Sequence, residues 1–288
     1  ASVHTRLTEE ERGQLLDLKA EIAENDYRAQ LVFSHPYLRG TGEGRYQLQD
    51  STAIVKASLD LEKIDLERWQ LSDRPLLGSG KLEVNSIGLQ ADQLDGSILL
   101  DNILLRGDGS TAYIDSMLIL ASLNEGNNLV TISSDVLQGR LEGVFDPVNI
   151  FPELARFLQS YLDEAPFVGD PVVNGQHFDL EMELTNPRPF TSGIIPGLTE
   201  LSPFSFSLNY RDKEPALLFD LQLNQLDYSG IKLKGMVLKA EGDEQQLALN
   251  GDWKNIVIGE DIAIGRTSIV SKQIQGGLNT TLKVFAQD

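Results

Sequence analysis

Apolar and polar residues alternate along most of this sequence, and a period of two restricts the chain to β structure. In the clearest window, residues 178–184, four apolar side chains alternate with three carboxylates. A strand of this kind buries one face and leaves the other in water, which is typical of antiparallel sheets. The pattern recurs from residue 27 to residue 145 between turns rich in glycine and aspartate. The sequence therefore predicts a mainly β fold, an antiparallel meander with about 14 to 16 strands in all.

Three segments depart from the alternation and predict helices. Residues 8–24 begin with a threonine that suits an N-cap, followed by a glutamate three positions later and by leucines at loosely helical spacing. Residues 149–164 combine Pro152 in a first helical turn with apolar residues spaced as on one helix face. A further short helical interruption is expected at residues 194–201. We therefore expect an N-terminal helix and one or two short helices within the β structure.

The best candidate for a joint between two parts of the chain is the segment 163–176, which contains two prolines and two glycines. The predicted organisation is an N-terminal helical segment (1–27), a first β segment ending in an amphipathic helix (28–165) and a second β segment (166–288). Both β segments have strands, one short helical interruption and more strands, which indicates a weak architectural repeat.

Charge and composition exclude several classes of protein. The 43 acidic residues against 24 Lys and Arg give a net charge of −19, which repels nucleic-acid phosphates and anionic lipid head groups. The chain has no cysteine, so disulfides, thiol nucleophiles and Cys-ligated metals are excluded. Its longest apolar run, residues 117–121, is far below the roughly 20 residues of a membrane helix. Three glutamates at 9–11 do not fit a signal peptide, and we expect an internal part of a longer chain.

The residue types that carry catalysis are present without any arrangement that would use them. No histidine has a second potential ligand at metal-binding spacing, and no Gly-x-Ser-x-Gly elbow occurs. The glycine-rich residues 40–44 and 78–80 lack the Lys-Ser/Thr of a phosphate loop, and we interpret them as hairpin turns. We expect no enzyme, no metal and no cofactor. The three histidines are His4, His35 and His177.

The apolar face of the predicted strands is aliphatic. Aromatic residues make up 7% of the chain and only two are tryptophan, so the aromatic platforms of sugar-binding sheets are missing. An aliphatic surface suits acyl chains. Two architectures remain open: a β-sandwich that closes this face against a second sheet, and an open sheet whose face is a groove for lipid tails. Periodicity alone favours the sandwich, because every sandwich has such a face.

A resemblance favours the open sheet. The motifs are Tyr-Ile-Asp-Ser at 113–116, the stretch 131–143 with the helix ending at 157–162, and the shorter stretches 77–80 and 94–98. Together they resemble the periplasmic repeat region of TamB proteins, particularly the Bacteroidetes type. The resemblance covers residues 50–165, whereas residues 176–288 are similar in style only.

The resemblance implies a member of the AsmA-like group of bridge-like lipid transfer proteins, with a U-shaped antiparallel sheet called a β-taco. It implies a periplasmic location with an inner-membrane anchor outside this sequence, phospholipid or another acyl-chain lipid as the ligand, and an outer-membrane assembly partner that meets a C-terminal region this sequence lacks. The alternative is a non-enzymatic β-sandwich scaffold or protein-binding module in outer-membrane protein assembly. The side chains expected to line the groove are Val55, Leu59, Leu61, Ile98, Leu100, Ile114, Leu118, Leu120, Leu137, Leu141, Phe145, Phe178, Leu180, Met182, Leu184, Phe219, Leu221, Ile231, Leu233 and Leu282.

Overall fold

The chain forms two compact units, each built on antiparallel strands. The first unit comprises residues 1–124, 130–136 and 188–195, and the second comprises 125–129, 137–187 and 196–288. The computed structural model describes residues 2–9, 13–49, 52–88, 95–107, 109–123, 127–147, 149–159, 175–212, 216–243, 246–259, 262–274 and 277–285.

The first unit is a meander of eight strands, each paired antiparallel with the next along the chain. Connections are short except between the fifth and sixth strands, where residues 66–76 form an ordered loop. Its strands are β1 (Ser2–Glu9), β2 (Gly13–Ala23), β3 (Asp26–His35), β4 (Leu38–Gln49), β5 (Thr52–Asp65), β6 (Leu77–Ile87), β7 (Asp95–Gly107) and β8 (Ser110–Ser122). Strand β9 (Asn128–Ser134) follows.

The second unit contains a meander with two branches, of which the first is the pairing of β14 with β12 as well as with β13. Strands pair antiparallel in the order β10, β11, β13, β14 and β15, and β15 then pairs with β16 along one half and with β17 along the other. From β16 the sheet continues to β19 and β20, and β17 pairs with β18. The elements are β10 (Leu137–Val144), α1 (Ile150–Gln159), β11 (His177–Leu184), β12 (Leu198–Leu201), β13 (Phe204–Arg211), β14 (Ala216–Tyr228), β15 (Ile231–Gly242), β16 (Leu247–Trp253), β17 (Asn255–Ile258), β18 (Ile262–Ile264), β19 (Thr267–Ile274) and β20 (Gly277–Val284).

The predicted fold class is confirmed: the chain is mainly β, antiparallel, with few helical residues. The described residues form 20 strands rather than 14 to 16, because β1 and β2 replace a predicted helix and because β12, β17 and β18 have only three or four residues, too few to show a period. The predicted boundary after residue 165 lies within residues 160–174, outside the described residues, and stays a prediction. The compact units divide between residues 124 and 137.

The N-terminal helix predicted over residues 8–24 is wrong. Strands β1 and β2 occupy this region, and β2 pairs with β3 so that Leu16 lies opposite Phe33 and Leu18 opposite Leu31. The same leucines fit a period of two at least as well as a helical period, since charged residues separate them. A neighbouring strand that supplies hydrogen bonds and a matching apolar face decides the conformation, which a helix propensity alone cannot do.

The two other helix predictions have different outcomes. Helix α1 confirms the helix predicted over residues 149–164 as far as residue 159, and the remaining residues lie outside the described part of the chain. The interruption expected at 194–201 is displaced: a π-helical turn, Phe190–Ile194, precedes it, and β12 occupies its second half. Gly197, with φ +77°, turns the chain between the two.

The glycines at 40–44 and 78–80 lie inside strands β4 and β6, so their interpretation as hairpin turns is wrong. Gly40, Gly42 and Gly44 fall on the same side of β4, opposite apolar residues of β3 and β5. A methyl group at Gly40 would lie 2.3 Å from the carbonyl oxygen of Asp60 on β5. Because Gly40 has no side chain, β4 and β5 can approach each other closely at this position.

Replacing Gly40 by alanine is expected to lower the free energy of unfolding by about 1–3 kcal/mol, because the added methyl overlaps backbone that cannot move aside. Gly44→Ala on the same strand is the matched control: its methyl would meet only one atom, the carbonyl oxygen of Lys56 at 4.0 Å. Urea denaturation followed by circular dichroism measures both. Equal effects of the two substitutions would contradict this explanation of the glycine.

Candidate apolar binding face

Residues directly opposite each other on antiparallel strands point to the same face, so the register defines the faces of each sheet. In the first unit two rows of apolar or small residues cross the strands from β3 to β8. They constitute the apolar face of the first unit: Ala29, Gly44, Ala57, Val84, Ile98 and Ile119 in one row, and Leu31, Gly42, Leu59, Leu82, Leu100 and Met117 in the other.

Six of the predicted lining residues of the first unit lie on this face, and two do not. Val55, Leu59 and Leu61 follow one another along β5, and Ile98 and Leu100 lie in the two rows on β7. Ile114 pairs with Ile103, whose side chain occupies the space beside Gly80, opposite Leu61.

Leu118 and Leu120 lie on the opposite face of β8. Leu118 is opposite Leu99, and Leu120 is opposite Ser97, whereas Ile119 between them is opposite Ile98. Leu120 is 46% exposed. The five consecutive apolar residues 117–121 have no alternation, so the sequence could not show which of them share a face with Leu100.

In the second unit two rows again cross the strands, and we call them the central rows. The first central row is Leu141, Leu180, Leu208, Phe219, Ala240 and Leu249. The second is Gly139, Met182, Phe206, Leu221, Leu238, Gly251, Ile269 and Leu282. Six predicted lining residues belong to these rows, and the same face carries the predicted residues Leu137, Leu184, Phe178 and Phe145 beside them.

Ile231 and Leu233 are the two predicted residues of the second unit that lie apart from the central rows. They precede Gly235, whose φ of +60° interrupts the regular course of β15. Opposite them lie Ile258 and Ile256 of β17, so the residues beyond the glycine form a separate aliphatic patch.

Solvent reaches most of these apolar side chains. Among the described strand residues on the apolar face of the first unit, the large aliphatic side chains all stay partly exposed, and Ile98 is 38% exposed. In a closed core most aliphatic side chains of this size would be buried.

At both ends of the strands, the apolar face of the second unit carries fully or almost fully buried side chains. At one end Phe178, Tyr210 and Leu217 lie side by side on neighbouring strands and are buried. At the other end Leu184 and Leu223 are buried in the same way. Phe178 and Leu184 are six residues apart, about 20 Å along an extended strand. Between them the central rows are mostly partly exposed and form an apolar strip across the strands, which we call the trough.

Helix α1 closes the first of these ends. Glu153 is fully buried and accepts a 2.8 Å ion pair from Arg156 one turn later. Arg156 also contacts Asp212 at 3.4 Å and hydrogen-bonds Tyr210 at the end of β13. The rings of Phe178 and Tyr210 lie 5.3 Å apart beneath these contacts. The described side chains of the helix therefore hold the buried end of the sheet.

Tyr210 makes the stability of this end depend on pH. Burial, with the nearby carboxylates of Glu153 and Asp212, raises the pKa of Tyr210 to about 12. The phenol is therefore neutral in the folded protein at pH values where it ionises in the unfolded chain. Its contribution to stability is complete below pH 10, the ordinary pKa, and is lost as the pH rises to 12.

We expect wild type to lose up to about 2.7 kcal/mol more stability than Tyr210→Phe between pH 9 and pH 12, because phenylalanine has no proton to lose. Urea unfolding of both proteins across this range measures the difference. Lysine titration affects both proteins equally and cancels in the comparison. Parallel pH profiles would contradict the burial of an ionisable phenol at this end.

The face opposite the central rows is polar and charged. Asp220 and Lys239 are directly opposite each other on β14 and β15 and lie 2.6 Å apart. The hydrogen bond from Lys239 holds the pKa of Asp220 below its ordinary value. In the first unit Asp60 and Lys81 make the equivalent cross-strand pair at 3.1 Å. Exposed pairs of this kind add little stability, but they keep this face in water.

The histidines take part in local structure. The Nδ1 atom of His35 accepts a hydrogen bond from the backbone nitrogen of Tyr37 at 3.2 Å, and Nδ1 of His177 lies 3.4 Å from the carbonyl oxygen of Gly175. His4 lies in β1, where side chains are outside the described part. Within the described ranges, no three His, Asp or Glu side chains are grouped to hold a metal ion. The described helices include none long and apolar enough to span a membrane.

Sequence patterns missed several residues of the trough. Phe206, Leu208 and Leu238 lie in the central rows, and their strands do alternate, so the signal was present. Gly251 and its neighbour Trp253 had no such signal, because a glycine has no side chain to count and a single tryptophan has no period. Comparison of the chain with protein-family models, with curated proteins and with solved structures gave no match, so its function has to be argued from the geometry of these faces.

Proposed function

We propose that this chain conducts phospholipid or similar acyl-chain lipid along its apolar faces, as a periplasmic segment of a TamB-like, bridge-like lipid transport protein. The observation that carries the proposal is the aliphatic face of each unit, which stays partly exposed across six or more strands. Contact of such a surface with water is unfavourable, since burying it lowers the free energy by about 25 cal/mol per Å² of apolar area. A partner with apolar chains is therefore expected to cover it.

Transport along the trough needs no chemical step. A lipid tail that moves from Leu180 to Leu208 exchanges one aliphatic contact for an equivalent one, so the free energy changes little along the row. The head group stays toward solvent, because every polar group taken into the trough without a partner would cost energy. The expected result is movement with low barriers and little selectivity for the tail.

The location and the partners follow from the resemblance. Residues 50–165 carry the TamB-like motifs, and these residues form the β5–β8 part of the first unit with the beginning of the second. The proposed setting is the periplasm, with support of outer-membrane biogenesis and an outer-membrane assembly partner. The rival proposal is a protein-binding scaffold, which the exposed carboxylates Asp179, Glu181 and Glu183 opposite the trough would favour.

Lipid bound to the purified protein tests the proposal. The protein is purified without detergent, and native mass spectrometry is combined with organic extraction and lipid chromatography. We expect phospholipid at one or more molecules per chain. Protein that carries no lipid after purification, and takes up none from phosphatidylethanolamine vesicles, would contradict lipid transport and leave the scaffold as the better explanation.

A further inference from the structure

The trough of the second unit narrows at β19. Up to β16 both central rows are apolar, but the first row continues onto β19 and β20 as Ser271 and Thr280. Their hydroxyl oxygens lie 2.8 Å apart and share a hydrogen bond. On the other side Thr267 of β19 donates to the carbonyl oxygen of Gly265. On β19 the apolar path is therefore a single row at Ile269, between Thr267 and Ser271, and it continues onto β20 at Leu282 with Val284 beside it.

A tryptophan lies over this single row where the narrowing begins. Gly251 is the residue of the second central row on β16, and Trp253 follows two positions later on the same face. A methyl group at Gly251 would lie 2.6 Å from Cη2 and 2.9 Å from Cζ3 of the indole. It would also lie 3.4 Å from the side chain of Leu238. The six-membered ring of Trp253 therefore covers the glycine, and Gly251 itself is buried.

We propose that Trp253 is a gate in the trough, which admits acyl chains past β16 one at a time when its indole lifts from Gly251. This inference rests on the proposed lipid transport and adds the position and the width of its narrowest point. Because Gly251 has no side chain, an acyl chain could take the place of the indole over its backbone. That chain would replace the contacts that the indole makes, so opening costs less when lipid is present than when the trough is empty.

The backbone on both sides of the indole is held in place, which confines the movement to the side chain. Strand β16 is paired with β15 as far as Asp252 and with β19 as far as Trp253. The backbone nitrogen of Lys254 donates to the carbonyl oxygen of Lys234 at 2.8 Å. Rotation about the Trp253 side-chain bonds is therefore the simplest way to uncover Gly251.

Tryptophan fluorescence reports on this site directly, because Trp69 and Trp253 are the only tryptophans in the sequence. The variant Trp69→Phe retains Trp253 as its single tryptophan. The variant Trp253→Phe is the matched control, because its single tryptophan is Trp69 in the ordered loop of the first unit. Both proteins are loaded with phosphatidylcholine that carries bromine on its acyl chains. We expect strong quenching of Trp253 and little quenching of Trp69, which is 50% exposed.

Exchange of a fluorescent phospholipid between loaded protein and vesicles tests the gate itself. Trp253→Ala should raise the exchange rate about threefold or more, since the indole contact that closes the path is lost. Trp69→Ala should leave it unchanged. If lipid is bound but Trp253 is not quenched, or the two alanine variants exchange alike, the gate is wrong and lipid transport stands. If neither protein binds lipid, both the transport proposal and the gate that rests on it are wrong.

Discussion

Leu221→Asp is expected to reduce the lipid bound to the purified protein at least about tenfold while the protein stays folded. Leu221 lies in the middle of the trough, between Phe206 and Leu238 on the neighbouring strands. A carboxylate there removes an aliphatic contact and places a hydrated charge against acyl chains. Because no described protein layer lies on this row, water can solvate the new charge when the trough is empty, and folding should tolerate it.

Leu218→Asp is the matched control for this experiment. Leu218 is the same residue type on the same strand, but it points to the opposite, polar face and is 51% exposed. Its replacement should change neither folding nor lipid content. Circular dichroism measures folding, and extraction with chromatography measures lipid. Unfolding caused by Leu221→Asp alone would indicate a sealed core, and unchanged lipid in a folded variant would contradict a binding role for the central rows.

Phe178→Ala is expected to lower the free energy of unfolding by about 3–5 kcal/mol, the usual cost of deleting a buried aromatic ring. Phe178 is fully buried, and its ring packs 5.3 Å from Tyr210 and 6.2 Å from Phe145. The cavity would open beneath contacts that hold α1 to the sheet. Denaturation by urea, followed by tryptophan fluorescence and circular dichroism, measures the change.

Phe206→Ala on β13 provides the comparison. Phe206 lies in the second central row, partly exposed, with its ring 6.3 Å from Phe219. Its removal leaves a surface depression rather than a closed cavity, so we expect no more than about half the cost of Phe178→Ala. Equal losses would show that the trough is packed as tightly as its end, which would contradict an open face. Phe206→Ala should also weaken lipid binding in the folded protein. Phe178→Ala should weaken lipid binding only to the extent that it unfolds the protein.

An uncovered aliphatic face is a hazard for a protein in water, because it invites aggregation. The charge of −19 and the cross-strand ion pairs of the opposite face oppose this tendency, since like-charged molecules repel each other. Asp220 with Lys239 and Asp60 with Lys81 show how the polar face is arranged. The charged face therefore helps to keep the protein from aggregating, whether an apolar ligand covers the other face or not.

Much of the fold was predictable from local pattern. The strands around residues 55–61 and 178–184 were correctly assigned, because charged residues interrupt their apolar residues at every second position. Residues 8–24 were misassigned, since their leucines satisfy two periods and only the pairing of β2 with β3 chooses between them. The glycines of β4 were taken for a turn, because nothing in the sequence shows that neighbouring strands approach them closely.

The candidate site was predictable to a smaller extent. Leu180 and Met182 were placed correctly by alternation, but Leu118 and Leu120 were placed on the wrong face by an apolar run without period. Tyr210 and Glu153 are brought together by α1 from distant positions in the chain, which no local pattern records. Trp253 over Gly251 required the coordinates of both residues.

By itself the sequence determined that this chain forms antiparallel strands with one aliphatic and one charged side, because the pleat of a strand sends successive side chains to opposite faces. That is a local property of each strand. Only the tertiary structure decided that the aliphatic side stays partly exposed, that buried residues flank it at both ends of the strands in the second unit, and that Trp253 lies over Gly251. Burial depends on what lies about 10 Å above a sheet, and that neighbour can come from any part of the chain or from none.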